Sequence, residues 1–118
     1  MAKNPKRGEI WYVNLNPARG SEIYKERPVV VMSSNDIGLL PIRLVVPLTT
    51  WKEEYAEPFW YIKVIPNKNN GLSKMSAADT LQISGLDIGE RFIQKVGFVS
   101  TDILADIAAA VAMVVEYV

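Results

Sequence analysis

The stretch SEIYKERPVVVMSS, Ser21 to Ser34, decides how the rest of the chain is read. Its second half, Val29-Val30-Val31-Met32, has the β-branched run of a buried strand. Its first half sets Glu22, Lys25, Glu26 and Arg27 directly in front of that strand. Pro28 has no N–H to donate, so it belongs at the first position of the strand. It also pushes the residue before it toward extended geometry, which fixes the direction in which the Arg27 guanidinium leaves the sheet. A planar fork of donors that stays protonated at any working pH suits phosphate. Arg27 therefore reads as a static phosphate clamp at a strand start.

Short strands separated by turn residues extend on both sides of this segment. Gly8 to Pro17 alternates Ile10, Tyr12 and Asn14 against Trp11, Val13 and Leu15, and is the first strand; Pro28 to Ser33 is the second. Ile42 to Thr50 is a third, bent or interrupted at Pro47, and Phe59 to Pro66 a fourth. Ser76 to Ile83 is a fifth, followed by a turn at SGLDIG (residues 84 to 89) and a last strand within RFIQKVGFVS, ending near Ser100. Asn16 to Glu22, Ser33 to Pro41 and Asn67 to Gly71 are loops rich in Asn, Gly, Ser and Pro. Only the tail reads as a helix. Ile103, Leu104, Ile107, Val111, Val114, Val115 and Val118 share one face, Ser100 or Thr101 is the cap, and Asp102 sits in the first turn. The pattern predicts one domain, residues 1 to 118, mainly β with a C-terminal helix: a small β-barrel or curled sheet. The other sides of the helix carry Ala108, Ala109, Ala110, Ala112 and Met113, so it is either sunk into the barrel wall or shared with a second subunit.

Composition removes whole classes of chemistry. The 118 residues are 49% apolar, enough for a core without staples. There is no cysteine and no histidine, hence no disulfide, no thiolate or imidazole metal site and no histidine-based triad. No phosphate-binding glycine loop, zinc spacing or calcium loop is present, so neither cofactor nor metal is expected. Thirteen basic residues balance thirteen acidic ones. The cations Lys3, Lys6, Arg7, Arg19, Lys25 and Arg27 nevertheless crowd the first 30 residues, a local anion-attracting face. The N-terminal MAKNPKRGEI has charge but no apolar stretch behind it, and the uncharged C-terminal run is too short to cross a bilayer, which needs about 20 residues. A cytoplasmic protein without membrane attachment is expected.

Within those limits three groups are able to act on phosphate. Arg27 is the clamp. In PLTT, Pro47 to Thr50, a threonine hydroxyl is able to bond a phosphate oxygen beside it. Glu22 is able to take a proton or to hold Arg27. Trp51, Tyr55, Phe59, Trp60 and Tyr61 are core, dimer contacts or platforms for unpaired bases.

Taken together, RGEIWYVNLNPARGSEIYKERPVVVMS (residues 7 to 33) resembles the N-terminal signature of the MazF/PemK family of toxin endoribonucleases, and VVPLTT resembles the family's next strand. The resemblance implies an SH3-like β-barrel of the CcdB/MazF/Kid type, forming a two-fold homodimer. It implies metal-independent cleavage of single-stranded RNA by the substrate's own 2′-OH, and neutralisation by a cognate antitoxin whose C-terminal segment occupies the RNA groove. The family's catalytic Arg and Thr carry over to Arg27 and Thr49, and its loop glutamate to Glu22; the general base is Glu22 or a backbone and water arrangement. Arg19, Ser21, Lys25, Thr50 and Gln82 are the expected RNA-binding residues. Leu81 and Ser84 depart from the family, standing where some members carry Asp and many carry Arg; Asp79 is the available substitute for the acid. Two other readings use the same fold class. One is a non-catalytic CcdB-like gyrase inhibitor acting through C-terminal residues, and the other a nucleic-acid-binding barrel without turnover. ERP together with PLTT favours the nuclease.

Overall fold

A computed structural model describes residues 3–117. Seven strands form one sheet in the order β4-β5-β3-β2-β1-β7, with β6 paired to β3 off that path. They are β1 (Glu9–Asn14), β2 (Glu26–Val31), β3 (Ile42–Thr50), β4 (Tyr61–Val64), β5 (Ser76–Asp79), β6 (Ser84–Asp87) and β7 (Phe92–Phe98). A one-turn helix, α1 (Ile88–Arg91), precedes β7, and α2 (Thr101–Val114) closes the described chain. The class is the expected one, mainly β with a C-terminal helix. The barrel is not closed, because β4 and β7 stand at the two ends of the strand order.

Strand β3 holds the sheet together by exchanging neighbours. Ile42–Val45 pairs with β6, Val45–Pro47 with β2, and Leu48–Thr50 with β5. Pro47 does not interrupt the strand; it marks the place where β3 leaves β2 for β5. β2 begins at Glu26, two residues earlier than expected, so Pro28 is its third residue. Pairing with β3 starts only at Val29, so Pro28 occupies a stretch with a single neighbour, β1, where a missing donor is tolerated.

The apolar runs of β2 and β3 are continuous because both faces of the sheet are covered. On one face Ile10, Val30, Val46, Leu48 and Ala78 pack under α2, through Ile107 and the flanking Ile103, Leu104, Ala108 and Val111. On the other, Trp11, Val13, Val29, Val31 and Val45 pack with Leu86 and Phe92. The Ser100 hydroxyl accepts from the Ile103 N–H at 3.2 Å and caps α2. The helix ends at Val114; Val115 lies past it and is 66% exposed, off the predicted face. Val118 lies outside the described residues.

Three elements depart from the sequence reading. The fifth strand stops at Asp79, because Thr80–Gln82 close a 3-10 turn in place of its expected end. SGLD is a strand rather than a turn, because Leu86 is buried and Ser84–Asp87 completes a ladder with Ile42–Val45. The tail is not the sole α-helix. Ile88–Arg91 forms a helical turn whose Glu90 N–H is capped by Asp87 Oδ2 at 2.8 Å. Glu9 of the GEIW motif is a structural lock. Its Oε1 accepts from Trp11 Nε1 and from the Lys6 N–H, both at 2.9 Å, while Oε2 pairs with Lys95 at 2.9 Å. Burial raises the Glu9 carboxyl, but these donors outweigh it and leave the pKa below the usual value.

Candidate functional site

The register of β2 on β3 creates the site. Val29 lies opposite Pro47, Val30 opposite Val46 and Val31 opposite Val45. Carried two steps further, that register sets Arg27 opposite Thr49. The ladder has already opened there, since β3 has turned to β5 while β2 stays on β1 as far as Glu26. Arg27 and Thr49 therefore face each other across a gap in the sheet, with Arg27 Nη1 donating to Thr49 Oγ1 at 3.3 Å. Arg27 Nε donates to the Tyr24 carbonyl at 2.8 Å, which sets the plane of the fork. Nη2 makes no hydrogen bond among the described residues. Lys25, at φ 74°, adopts the left-handed conformation as the loop turns into β2.

Arg27 and Thr49 line a cleft of about 350 Å³ together with Tyr12, Glu26, Thr50 and Lys74. Tyr12 and Lys74 were not legible as site residues. Tyr12 sits in an ordinary alternating strand, and Lys74 reaches the cleft only because the Asn67–Gly71 turn docks on β7. Gly71 and Gly97 permit that docking: a Cβ on either would stand 2.4 Å from a backbone oxygen, of Val96 and Asn69 respectively. Gly71 also needs its φ of 66°.

The other expected residues gather elsewhere. Ser21, Glu22 and Gln82 line a second cavity, of about 530 Å³, which shares no lining residue with the first. Glu22 closes a turn of its own loop: Oε1 accepts from the Arg19 N–H at 2.7 Å, and the Glu22 N–H donates to the Arg19 carbonyl at 3.1 Å. Gln82 is a latch. Its Oε1 accepts from the Ile23 N–H and its Nε2 donates to the Ser21 carbonyl, both at 3.0 Å, pinning the β1–β2 loop to the turn between β5 and β6. Leu81 and Ser84 also line this second cavity. Arg19 and Lys25 are exposed and line neither; the Lys25 ammonium lies 5.1 Å from the centre of the Tyr24 ring.

Asp79 is 7% exposed and lines neither cavity. Burial pushes its carboxyl above the usual range, and the Leu81 N–H on Oδ1 at 3.2 Å opposes that only in part. Tyr61, opposite Asp79 in the β4–β5 ladder, is likewise pushed up by burial and then by the Asp79 charge. The aromatic run is a packed cluster: Trp51 meets Tyr55 edge-on, Tyr55 stacks on Tyr61 at 4.0 Å, and Lys63 caps Trp51 at 4.9 Å. Buried Arg43 is structural, its guanidinium donating to the carbonyls of Pro5, Leu40 and Ile42 and to Asn4 Oδ1. Among the described residues no group of three His, Cys, Asp or Glu side chains is placed to hold a metal, and no helix is long and apolar enough to cross a membrane.

Comparison with known proteins gives this geometry its context. Residues 6–115 match the family described as PemK-like, MazF-like toxin of type II toxin–antitoxin system. A curated relative, Endoribonuclease MazF9 of Mycobacterium tuberculosis, is 33% identical over 114 residues, covering 92% of this chain and 93% of the relative. The fold is similar to that of MazF from Deinococcus radiodurans, with a TM-score of 0.81 at 18% identity over 97% of this chain and 98% of that one. It is also similar to a mycobacterial endoribonuclease solved in complex with its cognate antitoxin, with a TM-score of 0.76 at 18% identity over 98% of both chains.

Proposed function

The chain belongs to the PemK-like, MazF-like toxin family of type II toxin–antitoxin systems, and from that membership and the Arg27–Thr49 pair we propose that it cleaves single-stranded RNA as the toxin of such a system. The observation that carries the reading is that pair, held across an opening in the sheet with most of the guanidinium donors free for an anion. The site has no imidazole to move protons, so the reaction it fits is one that supplies its own nucleophile. The 2′-oxygen of a splayed nucleotide attacks the adjacent phosphorus and the bond from phosphorus to the 5′-oxygen breaks. A 2′,3′-cyclic phosphate forms, and the departing 5′-oxygen takes up a proton. Arg27 stabilises the charge that grows on the non-bridging oxygens, and Thr49 orients the phosphate. The 2′-OH proton leaves to water and water returns one to the 5′-oxygen, since Glu22 lines the other cavity.

The same reading makes the molecule a cytoplasmic homodimer whose RNA groove is also the seat of an antitoxin segment. The relative solved with its cognate antitoxin supports a partner of that kind. Incubating the purified protein with a long RNA in EDTA and mapping the ends tests the whole reading. Discrete cuts with 5′-OH and 2′,3′-cyclic phosphate ends are expected. Activity that vanishes with chelator and returns only with a divalent ion would overturn the mechanism.

A further inference from the structure

The cleft at the Arg27–Thr49 opening is lined by one carboxylate, Glu26. Glu22 lines the other cavity, and Asp79 neither. Glu26 is the first residue of β2 and stands opposite Asn14 of β1, in the stretch that β3 has already left. Successive strand residues point to opposite faces. Glu26 therefore shares a face with Pro28 and Tyr12, all three lining the cleft, while Arg27 comes to the opening from the other face. Among the described residues the Glu26 carboxylate accepts no hydrogen bond and joins no ion pair, although Arg27 and Lys74 share its cleft and Lys25 precedes it. Tyr12, from β1, is the remaining titratable group there, and β7 contributes only Val96. Lys74 is fixed where β5 begins, its carbonyl accepting from Ser76 Oγ at 2.9 Å. The two cations of the cleft offset the charge that would otherwise keep a carboxylate away from RNA phosphate. In an in-line displacement the entering and leaving oxygens lie on opposite sides of phosphorus. With the non-bridging oxygens on Arg27 and Thr49, the entering 2′-oxygen lies to one side of the opening. On the cleft side, the group able to take its proton is Glu26.

We propose that Glu26 receives the 2′-OH proton through one water. As that water takes the ribose proton, it hands one of its own to the carboxylate. The bond from the 2′-oxygen to phosphorus forms and the bond from phosphorus to the 5′-oxygen breaks. The 5′-oxygen draws a proton from a second water, and the hydroxide left behind is neutralised when Glu26 releases its proton. The proposal rests on the RNA-cleavage reading and gives to Glu26 the role in proton transfer that the sequence assigned to Glu22.

Measuring kcat and KM for RNA across pH in the wild type, Glu26→Gln and Glu26→Asp tests it. Glutamine keeps the shape of the side chain and cannot take up a proton. Near neutral pH kcat of Glu26→Gln should fall roughly 100-fold, the usual contribution of a positioned base. KM should not rise, since removing a negative charge does not weaken the hold on phosphate. The gap to the wild type should close as pH falls, because the wild-type carboxylate protonates and ceases to accept. Glu26→Asp should keep the shape of the wild-type profile at a lower plateau. A loss in Glu26→Gln that is equal at every pH, or no loss at all, overturns the proposal and leaves the nuclease reading standing. A Glu26→Asp profile as flat as that of Glu26→Gln does the same. A wild type that cuts no RNA overturns the nuclease reading, and the proposal with it.

Discussion

Arg27 is half-buried at the mouth of the cleft, tied by Nε to the Tyr24 carbonyl and by Nη1 to Thr49, with no part in either apolar cluster. Truncation to alanine therefore removes a charge stabiliser without opening the core. Turnover on RNA should fall roughly 100-fold or more, with the melting temperature nearly unchanged. Arg27→Lys should recover little, because an ammonium cannot hold Tyr24, Thr49 and a phosphate in one plane. Full activity in Arg27→Ala would remove the central claim. Asp79 gives a pH test of a different kind. Its folded pKa lies above the unfolded value of 3.8, so ionisation disfavours the folded state. The stability it contributes is complete below the unfolded pKa and is lost as pH rises through the folded one. Asp79→Asn keeps an oxygen for the Leu81 N–H and should raise the urea midpoint near neutral pH, with no gain at a pH below the unfolded value. A variant less stable than the wild type at neutral pH would contradict the assignment.

At the scale of elements, the Asn67–Gly71 turn decides where one wall of the cleft stands. Asn70 is 1% exposed; its Oδ1 accepts from the Asn67 and Leu72 N–H groups at 3.1 and 3.0 Å, and its Nδ2 donates to the Ile65 carbonyl at 2.9 Å. The turn is further tied to β7 by the Phe98 N–H on the Asn69 carbonyl at 3.0 Å. Asn70→Ala leaves three backbone groups of the turn without their partner and should cost on the order of 2 kcal/mol in urea unfolding. Because Lys74 follows this turn into the cleft, KM for RNA should rise more than kcat falls. Unchanged stability in Asn70→Ala would show that water replaces the side chain at no cost.

At the scale of the whole molecule, the apolar helix that pointed to an interface is largely accounted for within one chain. Ile103, Leu104, Ile107, Ala108 and Val111 lie on its own sheet. Exposed apolar side chains include Leu39, Leu40, Ile42 and Leu44 around the start of β3, and Met113, Val115 and Tyr117 at the end of α2. Apolar exposure of this extent marks an interface, and an isologous dimer is the common way to cover it. Sedimentation at low micromolar concentration should give a dimer, and an acidic antitoxin segment should displace RNA from it. A stable monomer that cuts RNA at full rate would sink the dimer proposal.

The strands around Ile10, Val30 and Val46, the capped helix after Ser100 and the extended arginine before Pro28 were legible from residue order, because alternation, helical spacing and proline geometry act between near neighbours. The adjacency of Arg-Pro to one strand and of Thr49 to the end of another was legible in the same way. The pairing was not. Arg27 stands across from Thr49 through a β2–β3 register and a change of partners at Pro47, both set by contacts distant in sequence. SGLD shows the same limit: a short, glycine-containing segment of low strand propensity becomes β6 because β3 offers it a ladder and the core takes Leu86. Glu22 was expected beside Arg27 as a catalytic group, and Gln82 among the RNA-binding residues. Tertiary structure separates both from Arg27, because the latch between Gln82 and the loop backbone ties that loop to the β5–β6 turn and turns both side chains toward a second cavity.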